Sequence, residues 1–241
     1  MPRLSRDTID YIKTAGVSYS KIITKVEKLY GRKISKGLVS YYRGKREGRI
    51  KPFHKENVGQ ADWDWLVGLY YADGCRFKSR GEYIVVFALS KYEQKIRNKL
   101  LAILSEMGLK ASAYISKDNT VFVKTFSKQF YLALPNKKEP YLPQLPLAYL
   151  AGLMDGDGYM KKGRWIFSQA KYPHLIKQVL DIGRKFGKLT AWVQKPTVDR
   201  KIPIYRISLL KNARENLLTS DFAKYSLRCQ SLLKSGPAGE I

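Results

Sequence analysis

Two nonapeptides, LVGLYYADG at 66–74 and LAGLMDGDG at 150–158, decide how this chain folds. Their final aspartates, Asp73 and Asp157, lie 84 residues apart, since 157 minus 73 is 84. The dipeptide Lys-Tyr recurs at 91–92 and 171–172, an offset of 80, so a gap of about four residues falls in a hairpin between the two features. The chain from residue 63 onward is therefore an internal repeat, and each copy supplies one structural unit.

Each copy is predicted to run helix, two strands, helix, two strands and a short helix. The first copy, at 63–134, has strand patterns at 75–79, 83–89, 111–116 and 120–126 around a helix at 92–107. The second, at 147–220, has them at 159–161, 164–168, 189–194 and 204–210 around a helix at 173–186. A proline-rich linker at 135–146 joins the copies, and 221–241 is a C-terminal tail. The predicted fold class is α+β, with two pseudo-symmetric αββαββα repeats.

The first 43 residues are predicted to form a small all-helical region of helix-turn-helix type. Apolar residues recur at helical spacing in 6–15 and 18–30, Gly31 ends the second helix, and Ser35 can cap a third at 36–43. Val39 and Tyr42 would face inward, and the outward residues that could contact DNA are Lys36, Ser40, Tyr41 and Arg43. A small helical cap on the main domain is the alternative interpretation. Residues 44–62 are predicted to be a linker.

The composition indicates a polyanionic partner. Lys and Arg number 45 against 20 Asp and Glu, a formal charge of +25 on 241 residues. Nucleic acid is the common partner of such a chain, because each neutralised phosphate releases counterions, and a membrane surface is the rival. No apolar run approaches a membrane span and no signal peptide is recognisable, so we expect an intracellular protein, cytoplasmic or organellar. The two cysteines, Cys75 and Cys229, are expected to be free thiols.

The repeated helices are predicted to bring two carboxylates together. Small residues fall four apart in each, which lets two helix backbones approach closely. Both helices then end in Asp-Gly, so Asp73 and Asp157 would emerge together at one end of the helix pair. A single Asp-Gly would more simply be a turn, but two matched copies favour a shared site. Adjacent carboxylates need a cation, and Mg²⁺ prefers oxygen ligands.

The two nonapeptides closely resemble the signature of the LAGLIDADG homing endonucleases, in particular the monomeric type with two motifs in one chain. The resemblance covers roughly 63–220. It implies a saddle-shaped antiparallel sheet whose concave face lies on double-stranded DNA. It also implies that Asp73 and Asp157 bind about two or three Mg²⁺ ions, beside the adjoining motif positions Ala72, Gly74, Gly156 and Gly158. The earlier acidic position of the motif is Asp155 in one copy and Tyr71 in the other, which indicates a structural role for Asp155.

The reaction implied by the resemblance is metal-assisted phosphodiester hydrolysis. Each aspartate would help to hold Mg²⁺, which would activate water and stabilise the leaving 3′ oxygen, and each active site would cut one strand. The product would be a double-strand break with short 3′ overhangs within a long recognition site. The basic residue that the family uses near a strand end matches Lys91 and Lys171, with Ser90 and Gln169 as weaker candidates. A phosphate-positioning or solvated role is the alternative for both lysines.

Alternating strand patterns predict one face packed on the core and one face available to read bases in a groove. Ala111, Ala113 and Ile115 would lie on the core face of one strand, and Leu189, Ala191 and Val193 on that of another. The predicted DNA-binding residues of the repeats are Arg76, Lys78, Arg80, Ser112, Tyr114, Ser116, Lys124, Lys161, Arg164, Gln169, Thr190, Trp192, Gln194, Arg206 and Ser208.

Two other functional classes stay open from the sequence. The same fold could serve an RNA maturase that assists intron splicing, or a DNA-binding regulator that does not cleave. A helix-turn-helix regulator with a ligand-binding C-terminal part is the other alternative, but it offers no reason for the matched Asp-Gly ends. We expect the chain to act as a monomer without an obligate protein partner.

Overall fold

The computed structural model describes residues 4–46, 53–161, 164–197 and 201–234, and of residues 44–46 and 231–234 it describes the backbone alone. The chain divides into two compact units, Met1–Pro52 and Phe53–Ile241.

The smaller unit contains the three helices that the sequence predicts: α1 (Arg6–Thr14), α2 (Tyr19–Tyr30) and α3 (Lys36–Arg46). Ser5 caps α1 by accepting a hydrogen bond from the backbone N–H of Thr8, and Gly31 ends α2 with a φ of 62°. The helices enclose a small core of their own, formed by Ile12, Ile22, Val26, Ile34 and Val39.

The larger unit contains both repeats. The first consists of α4 (Gln60–Asp73), β1 (Gly74–Ser79), β2 (Glu82–Ser90), α5 (Gln94–Glu106), β3 (Ala111–Ile115), β4 (Thr120–Phe126) and α6 (Lys128–Ala133). The second consists of α7 (Pro146–Asp157), β5 (Gly158–Lys161), β6 (Arg164–Gln169), α8 (Pro173–Gly183), β7 (Leu189–Gln194), β8 (Ile204–Leu209) and α9 (Lys211–Thr219). The predicted order of elements is therefore confirmed in both copies.

Each repeat builds its own antiparallel sheet. In the described residues the strand orders are β1-β2-β4-β3 and β5-β6-β8-β7, which are the same order in repeat numbering. The registers also match, because Gly74 pairs with Phe87 and Gly158 pairs with Phe167. The two strands that follow the motif helices thus leave the helix pair in equivalent directions. The inner strands β2 and β6 carry the most buried side chains, including Val85, Phe87 and Phe167.

The helices α4 and α7 pack backbone to backbone at the centre of the unit. A side chain at Gly68 would collide with the carbonyl oxygen of Tyr149, and one at Gly152 would collide with that of Trp65. The small residues that the sequence places four apart are therefore required by close approach. Both helices are buried on nearly every side, which explains their apolar composition all round.

Three predicted boundaries differ from the structure. Helix α3 runs to Arg46, and the stretch from Phe53 belongs to the larger unit: Phe53 packs on Phe130, and the His54 N–H donates to the Met107 carbonyl at 3.0 Å. The central helix of the first repeat begins later than predicted, at Gln94, whereas that of the second begins at Pro173 as predicted and gives way to a short 3₁₀ helix at Arg184–Phe186.

The prediction of a C-terminal tail is wrong for the residues up to Lys234. These residues form α10 (Phe222–Tyr225) and α11 (Leu227–Lys234). Phe222 and Cys229 are buried in the main core. The rest of the predicted tail, 235–241, lies outside the described residues. Within the described ranges no helix is both long and apolar enough to cross a membrane.

Candidate active site

The last residues of α4 and α7 are Asp73 and Asp157, which the paired helices bring together. A side chain at Gly156 would meet the Ala72 methyl group and would lie 3.0 Å from Oδ2 of Asp73. The two motif ends are thus in contact, and glycine is needed where one crosses the other. Both aspartates are half-buried, so neither charge is fully solvated.

The surroundings raise the pKa of both aspartates well above the ordinary value of 3.8. Burial raises the pKa of Asp73 to about 7, and the negative charges of Asp157 and Glu93 add to the effect. Burial raises the pKa of Asp157 to about 6, although the positive charges of Lys137 and Arg228 oppose this. The carbonyl ends of two helices point the same way, and they also disfavour negative charge here. A bound cation would relieve all three unfavourable effects at once.

Lys137 is the basic residue that accompanies the first motif. Its Nζ donates to the carbonyl oxygen of Tyr71 at 3.0 Å and also to that of Gly74, at the end of α4. Burial lowers the pKa of Lys137 to about 8, while Asp157 and Asp73 oppose the shift. A lysine in this position satisfies free helix-end carbonyls and lies beside both carboxylates.

Arg228 takes the equivalent position beside the second motif. Its guanidinium donates to the carbonyl of Gly156 at 3.1 Å, to that of Gly158, and to the carboxylate of Glu93. Lys137 follows the last helix of the first repeat, and Arg228 follows α10 after the second. Neither residue is among those that the sequence predicts for the site.

The unequal motif positions Tyr71 and Asp155 explain how these basic residues are held. The Tyr71 hydroxyl contacts the carbonyls of Asn136 and Glu139, at 3.1 and 2.7 Å, on either side of Lys137. The buried Asp155 carboxylate accepts the Ser226 hydroxyl at 2.7 Å and the backbone N–H groups of Leu227 and Arg228. It also accepts the indole N–H of Trp65 at 2.9 Å. Different side chains thus anchor the two segments that carry Lys137 and Arg228, and Asp155 has the structural role that the sequence indicates.

Of the two lysines predicted from the resemblance, the structure places one beside the acids. A cavity of about 650 Å³ contains Asp73, Asp157, Lys137 and Lys171 among its lining residues. Lys91 is not among the described residues that line it, and its Nζ instead donates to the Asn119 side chain at 2.9 Å.

Gln169, a weaker candidate, makes the direct hydrogen bond to the carboxylate pair. Its Nε2 donates to Oδ2 of Asp157 at 3.1 Å, and its Oε1 accepts the backbone N–H of Lys171 at 3.0 Å. Gln169 therefore orients one carboxylate and also fixes the start of the segment that carries Lys171. It is buried, so this contact replaces the surface role in DNA binding that the sequence suggests.

Most predicted DNA-binding residues of the repeats are exposed or half-exposed on the sheets. Cross-strand neighbours include Ser112 with Lys124, Thr190 with Ser208, and Trp192 with Arg206. The residues that reach the surface at least in part are Lys78, Arg80, Ser112, Tyr114, Ser116, Lys124, Lys161, Arg164, Thr190, Trp192, Gln194 and Arg206.

Three predicted contact residues are directed toward the protein instead. Ser208 is 0% exposed, because it lies on an inner strand between Ile166 and Thr190. Arg76 donates to the carbonyls of Tyr131 and Leu134 at the end of α6. Arg43 in the small unit donates to the Val17 carbonyl at 3.0 Å and lies over the Tyr19 ring, whereas Lys36, Ser40 and Tyr41 are exposed as predicted.

The predicted core faces of β3 and β7 are also wrong, because four of the six residues placed on them are exposed. Ile115 is 64% exposed and Val193 is 54% exposed, and Ala113 and Ala191 are exposed as well. Both strands are sheet edges, so a partner strand covers only one side of each.

Comparison with known proteins locates the chain by fold. No protein-family model matches it, and no curated protein matches it. A structure of mesophilic variants of the homing endonuclease I-DmoI is 17% identical, covers 73% of this chain and 98% of its own, and has a TM-score of 0.55. I-DmoI in complex with DNA and Ca is 18% identical with the same coverage and TM-score. Full-length DUF199/WhiA from Thermatoga maritima is 13% identical, covers 79% of this chain and 69% of its own, and has a TM-score of 0.50. The similarity confirms the resemblance to the LAGLIDADG homing endonucleases at the level of the fold.

Proposed function

We propose that this chain is a site-specific DNA endonuclease that uses Mg²⁺ to make a double-strand break with short 3′ overhangs. The observation that carries the proposal is the half-buried carboxylate pair of Asp73 and Asp157, flanked by Lys137 and Arg228 on a chain of net charge +25. A pair so placed raises the energy of the folded chain unless a cation joins it. Fold similarity to I-DmoI, whose structures include complexes with DNA and Ca and with DNA and Mn, supports the proposal.

The residues present fit a hard divalent cation. Asp73 and Asp157 offer carboxylate oxygens, and the adjoining motif positions at Ala72, Gly74, Gly156 and Gly158 add backbone carbonyls. The Gly74, Gly156 and Gly158 carbonyls are already hydrogen-bonded to the basic residues, which leaves that of Ala72 as the better backbone ligand. When bound, such a cation supplies positive charge to the scissile phosphate and acidifies an attacking water.

The protein's own residues would then orient and stabilise the reacting groups. Gln169 fixes one oxygen of Asp157, so the other carboxylate oxygen can face a metal. Lys137 uses two of its three N–H groups on helix-end carbonyls, and the third can meet a phosphate oxygen as negative charge develops there. Lys171 lines the same cavity and adds a second positive charge.

The DNA would lie along the polar sheet faces and also contact the small helical unit. Residues 1–52 carry 14 Lys and Arg against four Asp and Glu, so about two fifths of the chain's net charge of +25 falls in about a fifth of its length. In the described part of this unit Asp7, Asp10 and Glu27 lie on α1 and α2, whereas α3 has none. The exposed residues of α3, Lys36, Ser40 and Tyr41, are therefore the proposed additional contacts.

The test is cleavage of a randomised duplex library with Mg²⁺, followed by sequencing of the cut ends. Wild type should cut both strands of a selected site, and Asp73→Asn and Asp157→Asn should bind that site without cutting it. Tight, selective binding without any cleavage by the wild type would instead favour a regulator, and preferential binding of intron RNA would favour a maturase.

A further inference from the structure

Two clefts lie near the ends of the motif helices, one at each of the basic residues Lys137 and Arg228. The lysine cleft contains Lys137, Lys171 and Tyr172 among its lining residues, and the arginine cleft contains Arg228 and Tyr92. Arg228 is the structural counterpart of Lys137, and Tyr92 is the repeat counterpart of Tyr172. The cavity volumes are about 650 and 600 Å³, so the clefts are similar in size, and of the two described linings that of the lysine cleft contains Asp73 and Asp157.

The charges of the two clefts do not match. Besides Asp73 and Asp157, the described lining of the lysine cleft holds four basic residues and no other carboxylate: Arg76, Lys137, Lys138 and Lys171. The described lining of the arginine cleft holds Lys95 and Arg228 together with Glu93. Much of its remaining surface is apolar, with Ile96, Met160, Trp165 and Leu227. A phosphate would therefore meet a higher density of positive charge in the lysine cleft.

Glu93 lowers the positive charge of the arginine cleft. One oxygen forms an ion pair with Arg228, and the other accepts the backbone N–H of Ser90 at 3.0 Å. The side chains of Arg228 and Glu93 are 27% and 19% exposed, so solvent screens the pair only in part. The repeat position 80 residues later is Pro173, which has no charge. Among the described residues, Lys137 accordingly has no carboxylate within ion-pair distance.

We propose that Glu93 is a positioning residue that holds Arg228 on the protein, so that the strand in the arginine cleft is cut more slowly than the strand in the lysine cleft. The consequence rests on the proposed nuclease function, but the restraint on Arg228 does not. Wild type should accumulate a nicked intermediate before the second cut. Releasing Arg228 should make the two cuts more nearly equal.

The first measurement needs no cleavage. Wild type, Glu93→Gln and Glu106→Gln are titrated with a random-sequence duplex in EDTA at a series of salt concentrations. Glu106 is an exposed carboxylate at the end of the same helix, so its variant matches the change in net charge. If Glu93→Gln frees Arg228 for one phosphate, the plot of log affinity against log salt should steepen by about 0.9 relative to Glu106→Gln. Adding Arg228→Met to Glu93→Gln should abolish that extra slope.

The second measurement follows both strands of a cleaved site with different end labels. We expect wild type to nick one strand at least about tenfold faster, a barrier difference of about 1.4 kcal/mol. Lys137→Met should slow the fast nick, and Glu93→Gln should accelerate the slow one while Glu106→Gln leaves the ratio unchanged.

Equal nicking rates in the wild type, or an unchanged salt slope and slow nick in Glu93→Gln, would overturn the inference. Absence of cleavage on every duplex would contradict the proposed nuclease function, and the salt series would still decide whether Glu93 restrains Arg228.

Discussion

Asp73→Asn should stabilise the metal-free protein strongly at pH 8 and much less at pH 5. The pKa of Asp73 rises from 3.8 to about 7 in the folded chain, first because of burial and then because of the charges of Asp157 and Glu93. An unfolded chain keeps the ordinary value, so the folded state binds the proton more tightly between these two pH values. The stability contributed by this group therefore falls as the pH rises from about 4 to about 7, and it is constant above.

The magnitude follows from the size of the shift. Because one pKa unit is about 1.4 kcal/mol, a rise of about three units means that Asp73→Asn should stabilise the folded chain by about 4 kcal/mol at pH 8. At pH 5 the folded carboxyl is still protonated, so the stabilisation expected from Asp73→Asn is only about 1.6 kcal/mol. These are upper values, because Asp73 retains some contact with solvent. Asn keeps the shape of Asp without its charge, so the stabilisation should shrink by about 2 kcal/mol between pH 8 and pH 5, or about 4–8 °C in Tm.

The assay is urea and thermal unfolding in EDTA at both pH values. Asp181→Asn, at an exposed position on α8, is the matched control and should change the free energy of unfolding by less than about 0.5 kcal/mol. Excess Mg²⁺ should stabilise wild type more than Asp73→Asn, because a ligand of the folded state shifts unfolding by mass action. A raised pKa of Asp73 is contradicted if Asp73→Asn is no more stable than wild type at pH 8, or if its gain is the same at both pH values.

Three further substitutions test the packing and the DNA surface. Gly68→Ala should destabilise the chain by about 3 kcal/mol or more in urea unfolding, because its methyl group would enter the α7 backbone. The control Gly37→Ala should cost nothing, because its methyl group would meet only the Ser35 hydroxyl at an ordinary contact distance of 3.8 Å. Equal effects would contradict the close helix approach. Trp65→Phe should cost about 1.5–3 kcal/mol by removing a donor from the buried Asp155 carboxylate, and a neutral result would show that this hydrogen bond is dispensable. Lys36→Ala should reduce the salt slope of DNA binding by about 0.9 if α3 contacts a phosphate, and an unchanged slope would remove this unit from the DNA surface.

The sequence predicts the fold well because the repeat constrains it twice. Small residues four apart in both motif helices have a single good explanation, a close backbone contact, and the structure contains that contact at Gly68 and Gly152. The aspartates at the helix ends then follow from helix geometry. These inferences depend on local spacing and on internal comparison, which a single sequence contains.

The residues that sequence reasoning missed depend on distant contacts. Lys137 and Arg228 reach the motif ends from segments that share no sequence pattern. The chain has 45 basic residues, and nothing in the sequence distinguishes these two from the others. Their anchors also differ, a tyrosine hydroxyl in one repeat and an aspartate in the other. Lys91 and Lys171 share the same Lys-Tyr context, yet the identical dipeptides lie in different surroundings, and only Lys171 lines the cavity around the acids.

Errors on the sheet surface have a related cause. Alternation predicts which face a side chain is on but not what covers that face. Ser208 is on the polar face of β8 and is still buried by neighbouring strands, whereas Ile115 is on the apolar face of an edge strand and is exposed. Arg43 and Arg76 look like free cations in sequence, but helix-end and loop carbonyls take their hydrogen bonds.

The proposed function requires that the joined ends of α4 and α7 form a metal-dependent nuclease centre. The most direct test incubates wild type, Asp73→Asn and Asp157→Asn with the same selected duplex, with Mg²⁺ or with EDTA, and measures cleavage and binding in each sample. We predict cleavage of both strands by the wild type with Mg²⁺ only, and binding without cleavage by both variants. Cleavage that persists in either variant, or that proceeds in EDTA, would contradict the claim.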